Sequence, residues 1–191
     1  NVVSEDKAYY FSKELGRKIL KNYSKSFFTV TRFLPKDKRD LVEIVYAAVR
    51  YPDEIVDTFN LSDEQKENLL NDWREKYKFS RQYTSLISSV NNKVPVVLSG
   101  FRKLSLDKSI PEKYYFSFLD AMKKDIKTKS YNNMDDLIDN YIYGSAIVVG
   151  YFLAYIYGAT QDKSIKDLLK PSKELGIALQ LTNIARDVYE D

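Results

Sequence analysis

Two aspartate pairs share one spacing, and each stands in an apolar, helix-like run. Asp53 and Asp57 close the segment Tyr46-Ala-Ala-Val-Arg-Tyr-Pro-Asp-Glu-Ile-Val-Asp57, and Asp187 and Asp191 close Gln180-Leu-Thr-Asn-Ile-Ala-Arg-Asp-Val-Tyr-Glu-Asp191. Carboxylates at i and i+4 of a helix lie on one face, a turn apart. Two such helices facing each other would make an acidic mouth. Oxygen-only acidic clusters suit Mg²⁺, which is usually held by one or two carboxylates together with substrate phosphates. The spacing alone is weak, because Asp135 and Asp139 have it too. That third pair follows Asn132 and Asn133 and reads as the acidic first turn of a helix, a structural feature favoured by the helix dipole.

The other two pairs differ in their company. Tyr46, Arg50, Asp53 and Asp57 form one polar stripe on a helix whose other faces carry Leu41, Val42, Ile44, Val45, Ala47, Ala48, Val49, Ile55 and Val56. Gln180, Asn183, Asp187 and Asp191 form a second stripe amid Leu175, Ile177, Ala178, Leu179, Leu181, Ile184, Ala185 and Val188. A helix apolar almost all round is expected to be buried, and polar groups on a buried helix must be satisfied. The residues leave two readings open: a buried ion-pair network, or a solvated cavity for metal and anion.

The elements that must carry these stripes are helices. Helical periodicity dominates, without convincing strand alternation, and predicts helices at about 4–21, 36–59, 62–78, 81–92, 96–106, 111–127, 133–158 and 171–190. Ser62-Asp-Glu-Gln65 is a capping-box pattern, and Pro35, Pro111 and Pro171 are placed where helices should begin. Pro52 is the misfit, inside a helix just before the first acidic pair; it reads either as a kink or local break, or as a device that aims Asp53 and Asp57. Residues 141–159 carry no charge, close to the minimum length for a membrane span. Five tyrosines and Ser145 in that run favour a central buried helix, and Gly144, Ala146 and Gly150 would let another backbone or a ligand approach closely. The expectation is one all-α domain over 1–191.

Composition removes several function classes. The chain of 191 residues is 44% apolar and 30% charged with a net charge of +3, so nothing argues for nucleic acid. It has no His and no Cys, which excludes Ser-His-Asp and Cys-His chemistry, the usual zinc sites and disulfides. Catalysis would have to use carboxylates, Tyr, Lys, Arg and metal. A reducing, cytoplasmic setting fits, and no targeting segment is seen. Sixteen Tyr and ten Phe read either as bulky core packing or as the lining of a large apolar pocket.

Taken together, the segments resemble the squalene/phytoene synthase family, whose members join two prenyl diphosphates head to head. Ser24-Lys25-Ser26-Phe27 is similar to the family's Ser-Lys/Arg-Ser-Phe segment, with Leu34-Pro35 and Arg39 following. Tyr46, Arg50 and Asp53-Glu-Ile-Val-Asp57 resemble the first aspartate motif and its lead-in. Leu119-Asp-Ala-Met-Lys-Lys-Asp125 and Tyr131 resemble the mid-chain segment. Tyr141-x-Tyr143 through Gly150 resembles the Tyr-Cys-Tyr-x-Val-Ala-Gly helix, with Ile142 in place of the Cys and Ser145-Ala-Ile147 in place of Val-Ala-Gly. Gln180 to Asp191 resembles the second aspartate motif. Family members usually run on well past that motif, so the chain is expected to lack the C-terminal helices that complete the pocket wall.

The resemblance implies an isoprenoid synthase type helical bundle with a central cavity. It implies Mg²⁺, with Mn²⁺ the alternative ion, held by Asp53, Asp57, Asp187 and Asp191, with Arg50 and Arg186 adding positive charge. Ser24, Lys25 and Ser26 would contact phosphate, Phe27 and Tyr46 would bind substrate, and Phe28 would join Phe27 in lining a dry pocket. Tyr143 would position the departing diphosphate or assist proton transfer, and Gln180 and Asn183 would orient diphosphate or water. No nucleotide motif is visible, which disfavours NADPH. The expected partners are farnesyl or geranylgeranyl diphosphate, and so amphiphilic a substrate is compatible with peripheral membrane association. The rivals are a non-catalytic helical relative acting as a scaffold or assembly factor, and a membrane-anchored helical protein; the Asp-Asp-x-x-Asp motif of chain-elongating relatives is absent.

Overall fold

The computed structural model describes residues 4–127, 130–159 and 164–190, the last four of these as backbone. Among the described residues there are ten α-helices, one π-helical segment and no strand. The chain divides into two compact units, one of residues 1–59 and 68–109 and the other of residues 60–67 and 110–191.

The first unit is built around α3 (Lys36–Asp57). α1 (Glu5–Tyr23) packs along it, and α6 (Val96–Asp107) packs on both. α2 (Lys25–Thr31) and α5 (Leu86–Asn91) complete this unit with the larger part of α4 (Asp63–Ser80). Its core holds Leu20, Val42, Ile44, Ala48, Ile55, Tyr77, Leu98 and Phe101, all at most 2% exposed, so that α1, α3, α4 and α6 each bury an apolar stripe, the main favourable term in folding.

Chain punctuation follows local chemistry. Ser4 caps α1 by accepting from the Lys7 amide at 3.3 Å. Ser24 ends α1 and starts α2: its N–H donates to the Leu20 carbonyl and its Oγ accepts from the Phe27 amide at 3.4 Å. Seven-residue α2 was not expected from periodicity, which needs more turns to register. The Ser62–Gln65 capping box is made in both directions, at 2.9 and 3.3 Å. The predicted helix at 81–92 is only α5, because 81–85 form turns that end with Ser85 capping the next helix.

In the second unit, α7 (Glu112–Asp125) packs against a long composite helix. That helix consists of α8 (Met134–Leu137), a π-helical segment (Ile138–Ile147) and α9 (Val148–Tyr157). The predicted helix at 133–158 is therefore present but not regular; π turns of this kind are rare and are frequent at functional sites. Met134–Tyr157 is long and apolar enough to cross a membrane by length and composition, yet Ile142, Ile147, Val148, Phe152 and Ile156 are fully buried against protein. The small residues do what their size permits: a Cβ on Gly144 would lie 2.4 Å from the Ala121 Cβ and 2.5 Å from the Ser117 carbonyl oxygen of α7.

Two expectations fail in α10 (Ile165–Glu190), which packs on α9 and the π segment. The helix does not begin at Pro171 but six residues earlier, where the Asp167 carboxylate accepts from the Ser164 N–H and hydroxyl at 2.8 and 2.9 Å. Nor is it buried all round: Gly176 is its one buried residue among the described side chains, while Leu175 and Leu179 are 60% and 57% exposed. Apolar composition signals that a face needs cover; it does not say that these residues supply it.

Candidate active site

The first acidic stripe lies on α3, which runs through Pro52 without a break to Asp57. A proline in a helix interior removes one i to i−4 hydrogen bond, and here the ring is buried in the core, where packing offsets that loss. Asp53 is partly exposed and Asp57 exposed, one turn further along.

Arg50 organises this face. Its Nη1 donates to the Asp53 Oδ2 at 2.6 Å and its Nη2 pairs with Glu54, whose side chain is only 8% exposed. The guanidinium also sits over the Tyr23 ring, 5.0 Å from its centroid, a favourable place for a cation. The Tyr46 ring packs on Phe27, with centroids 5.9 Å apart. Burial is the main cause that pushes the Tyr46 phenol above its ordinary value, opposed by Arg50 and reinforced by Asp53 and Glu54. Tyr46 thus stays a neutral donor at physiological pH.

The segment bearing Lys25, Ser26 and Phe27 is fastened to α3 through Arg32. Arg32 donates to the Phe28 carbonyl at 3.3 Å and to the Thr31 Oγ1 at 3.1 Å, and it pairs with Glu43 of α3. Lys25 and Ser26 are exposed and Ser24 is half-buried. Glu54, Arg32, Glu43 and Tyr23 were not among the residues predicted from sequence. Glu54 could have been: an Arg followed by acids at i+3 and i+4 can bridge both.

The second unit holds Tyr143, Gln180, Asn183 and Arg186. Tyr143 is half-buried in the π segment. It belongs to a tyrosine group around Tyr114, whose ring lies 5.0 Å from Tyr151 and 6.3 Å from Tyr155. The Tyr114 phenol is pushed up to about 12, first by burial and then by Tyr155, Tyr143 and Tyr151. The Tyr131 hydroxyl and the Ser145 Oγ are buried and make no hydrogen bond among the described residues. Gln180 is half-buried on α10, and Asn183 and Arg186 are exposed. Asp191 and the side chain of Asp187 lie outside the described residues. Of the third acidic pair, Asp135 lies in the first turn of α8 and Asp139 in the first turn of the π segment; Asn133 caps α8, and the neighbouring Asp136 accepts from Asn132 and Asn140.

Among the described residues no three acidic side chains gather into a closed metal cage. The α3 face has what a shared metal needs, two carboxylates a turn apart and open to solvent, with the remaining ligands left to phosphate oxygens and water, as Mg²⁺ prefers. These residues fit the ion.

The squalene/phytoene synthase family pattern matches residues 20–191. The chain belongs to the squalene/phytoene synthase family. A 15-cis-phytoene synthase of Paracoccus is 27% identical over 168 residues, which are 88% of this chain and 53% of that protein. Phytoene synthase 1 of Zea mays is 29% identical over 181 residues, 91% of this chain and 40% of that one. A crystal structure of a dehydrosqualene synthase with a bound ligand superposes with a TM-score of 0.75 at 29% identity, over 98% of this chain and 60% of that chain. This squalene/phytoene synthase family member thus has the all-α isoprenoid synthase fold, and it spans about half the length of the curated relatives it matches.

Proposed function

We propose that the protein to which these residues belong is a prenyltransferase that condenses two prenyl diphosphates, farnesyl or geranylgeranyl, head to head. The product would be of phytoene, dehydrosqualene or squalene type, for carotenoid or triterpenoid synthesis. The observation that carries this reading is the family match from residue 20 to 191, with Arg50, Asp53 and Asp57 grouped on one open face of α3. Asp53 and Asp57, with Asp187 and Asp191 of the second motif, are assigned to Mg²⁺. Bound there, the ion supplies Lewis-acid stabilisation to a departing diphosphate.

The chain's own residues have separate tasks. Arg50 holds Asp53 in place and keeps the acidic face from repelling itself before substrate arrives; Arg186 has the corresponding place in the second motif. Ser24 uses its oxygen lone pair on the Phe27 amide, which leaves its hydroxyl proton to donate to phosphate beside Lys25 and Ser26. Phe27 and Tyr46 line the approach and exclude water, which would otherwise quench an allylic cation. Tyr143 holds a phenol proton where diphosphate departs or a proton is lost, and Gln180 and Asn183 orient diphosphate or water.

The test is turnover of each diphosphate, with and without NADPH, in Mg²⁺ and in chelator. A Mg²⁺-dependent C30 or C40 hydrocarbon is the expected result. Diphosphate binding without any product would move the assignment to a non-catalytic helical relative.

A further inference from the structure

α3 has a second lined face. Ala47, Tyr51 and Glu54 stand about a quarter-turn around the helix from Tyr46, Asp53 and Asp57, at about 100° per residue. In the first unit they bound a cavity of about 410 Å³, closed on its other sides by Ile19, Tyr23, Phe59, Trp73 and Val97. That volume is within the range of small-molecule sites. At interior packing density about three quarters of it would be atoms, room for roughly fifteen heavy atoms. Tyr23 and Phe59 are 51% and 37% exposed and form its rim; buried Trp73, its ring tilted against that of Tyr51 with centroids 4.4 Å apart, lies at the back.

The walls are apolar and aromatic except for Arg50 and Glu54. The Arg50 Nε is buried and makes no hydrogen bond among the described residues. A buried donor without an acceptor is costly, so an occupant with one oxygen acceptor gains more than a plain hydrocarbon. A carboxylate is disfavoured, because Asp53 and Glu54 already outnumber the Arg50 charge. An ammonium would meet that same guanidinium and lose its hydration.

We propose that this cavity is a binding site for an uncharged, mostly hydrocarbon molecule carrying one hydrogen-bond acceptor, such as a long-chain alcohol. The site lies on a different face of α3 from Asp53 and Asp57, with Arg50 shared between the two faces, and it does not depend on the catalytic assignment. Trp73 is the only tryptophan in the chain, so occupancy has its own optical signal. The experiment is titration of Trp73 emission with decan-1-ol below its solubility limit, against sodium decanoate.

The expected result is a saturable, one-to-one change with the alcohol and binding of decanoate weaker by roughly tenfold or more. Val97→Phe, which fills the cavity, should weaken the alcohol by roughly tenfold or more while the melting temperature holds. Should that variant fail to fold, Ile19→Phe fills the space from α1. No saturable change, equal binding of decanoate, or unaltered binding in a folded filled variant would overturn the proposal.

Discussion

Arg32 and Glu43 form an ion pair whose acid is 2% exposed, and it joins the end of α2 to the middle of α3. Through this contact the segment with Ser24, Lys25, Ser26 and Phe27 is held beside the helix with Arg50 and Asp53. Arg32→Ala would leave a buried carboxylate uncompensated. The expected loss is about 3 kcal/mol, the low end for such pairs because Arg32 keeps partial solvent contact. Replacing both residues by Met should recover most of it. Urea unfolding of the two variants measures this, and equal stability of the single and double variants would remove the pair from the account.

Arg50 reaches two carboxylates with two different nitrogens of its planar fork, a geometry that the single ammonium of a lysine does not reproduce. Arg50→Lys is expected to keep the fold and to lower kcat/KM of the proposed reaction by about 100-fold, the scale for loss of one well-placed charge-stabilising donor. Glu54→Gln should act on the same site more weakly, by loosening Arg50. Turnover at wild-type level in Arg50→Lys would argue that the guanidinium serves packing alone.

Of the glycines in the second unit, Gly144 leaves the least room for a side chain. A methyl there meets both backbone and side chain of α7 at 2.4–2.5 Å, and neither is the flexible end of a side chain. Gly144→Ala is therefore expected to destabilise by about 1–3 kcal/mol, despite the better helix propensity of alanine. Thermal unfolding reads this directly, and an unchanged or raised midpoint would refute the packing.

Glu5 gives a pH dependence. Its carboxylate accepts from the Leu86 and Ile87 amides at 2.6 and 3.1 Å and from the Ser85 hydroxyl at 2.8 Å. Burial alone would raise its pKa, but these bonds outweigh it and hold the carboxyl below its ordinary 4.5. The folded state therefore binds the proton more weakly than the unfolded state. The stabilisation is complete above the unfolded value and disappears as pH falls through the folded one. Glu5→Gln should cost about 1–2 kcal/mol at pH 7, and the difference from the parent should vanish in strong acid. A difference that persists at pH 2 would assign the effect to shape and not to charge.

The all-α architecture was legible because long amphipathic helices repeat their pattern over many turns, as in α3 and α7. The Arg50, Asp53 and Asp57 face was legible for the same reason, since helical spacing alone sets which side chains share a side. Short or irregular pieces were not. Seven-residue α2 leaves no periodic trace. The start of α10 was signalled by Ser164 and Asp167, but Pro171 drew the boundary to itself. Glu43 stood in an apolar run as a single acid, and only the tertiary arrangement brings Arg32 to it. The exposed Leu175 and Leu179 show the remaining limit: a one-dimensional pattern reports which surface is apolar, not where its cover comes from.

The π-helical stretch Ile138–Ile147 sets the angular phase between Tyr143 and everything after it. Its hydrogen bonds span i to i+5, so it takes up one more residue per repeat than the regular helix on either side. Removing a single residue there, with the remaining turns unchanged, would swing α9 by roughly 100°. Tyr151 and Tyr155 would then turn away from Tyr114 although no codon for any of the three had changed. Insertions and deletions in this stretch act as rotations of α9 against α7, so chain length within it positions the tyrosines as much as their own places in the sequence do.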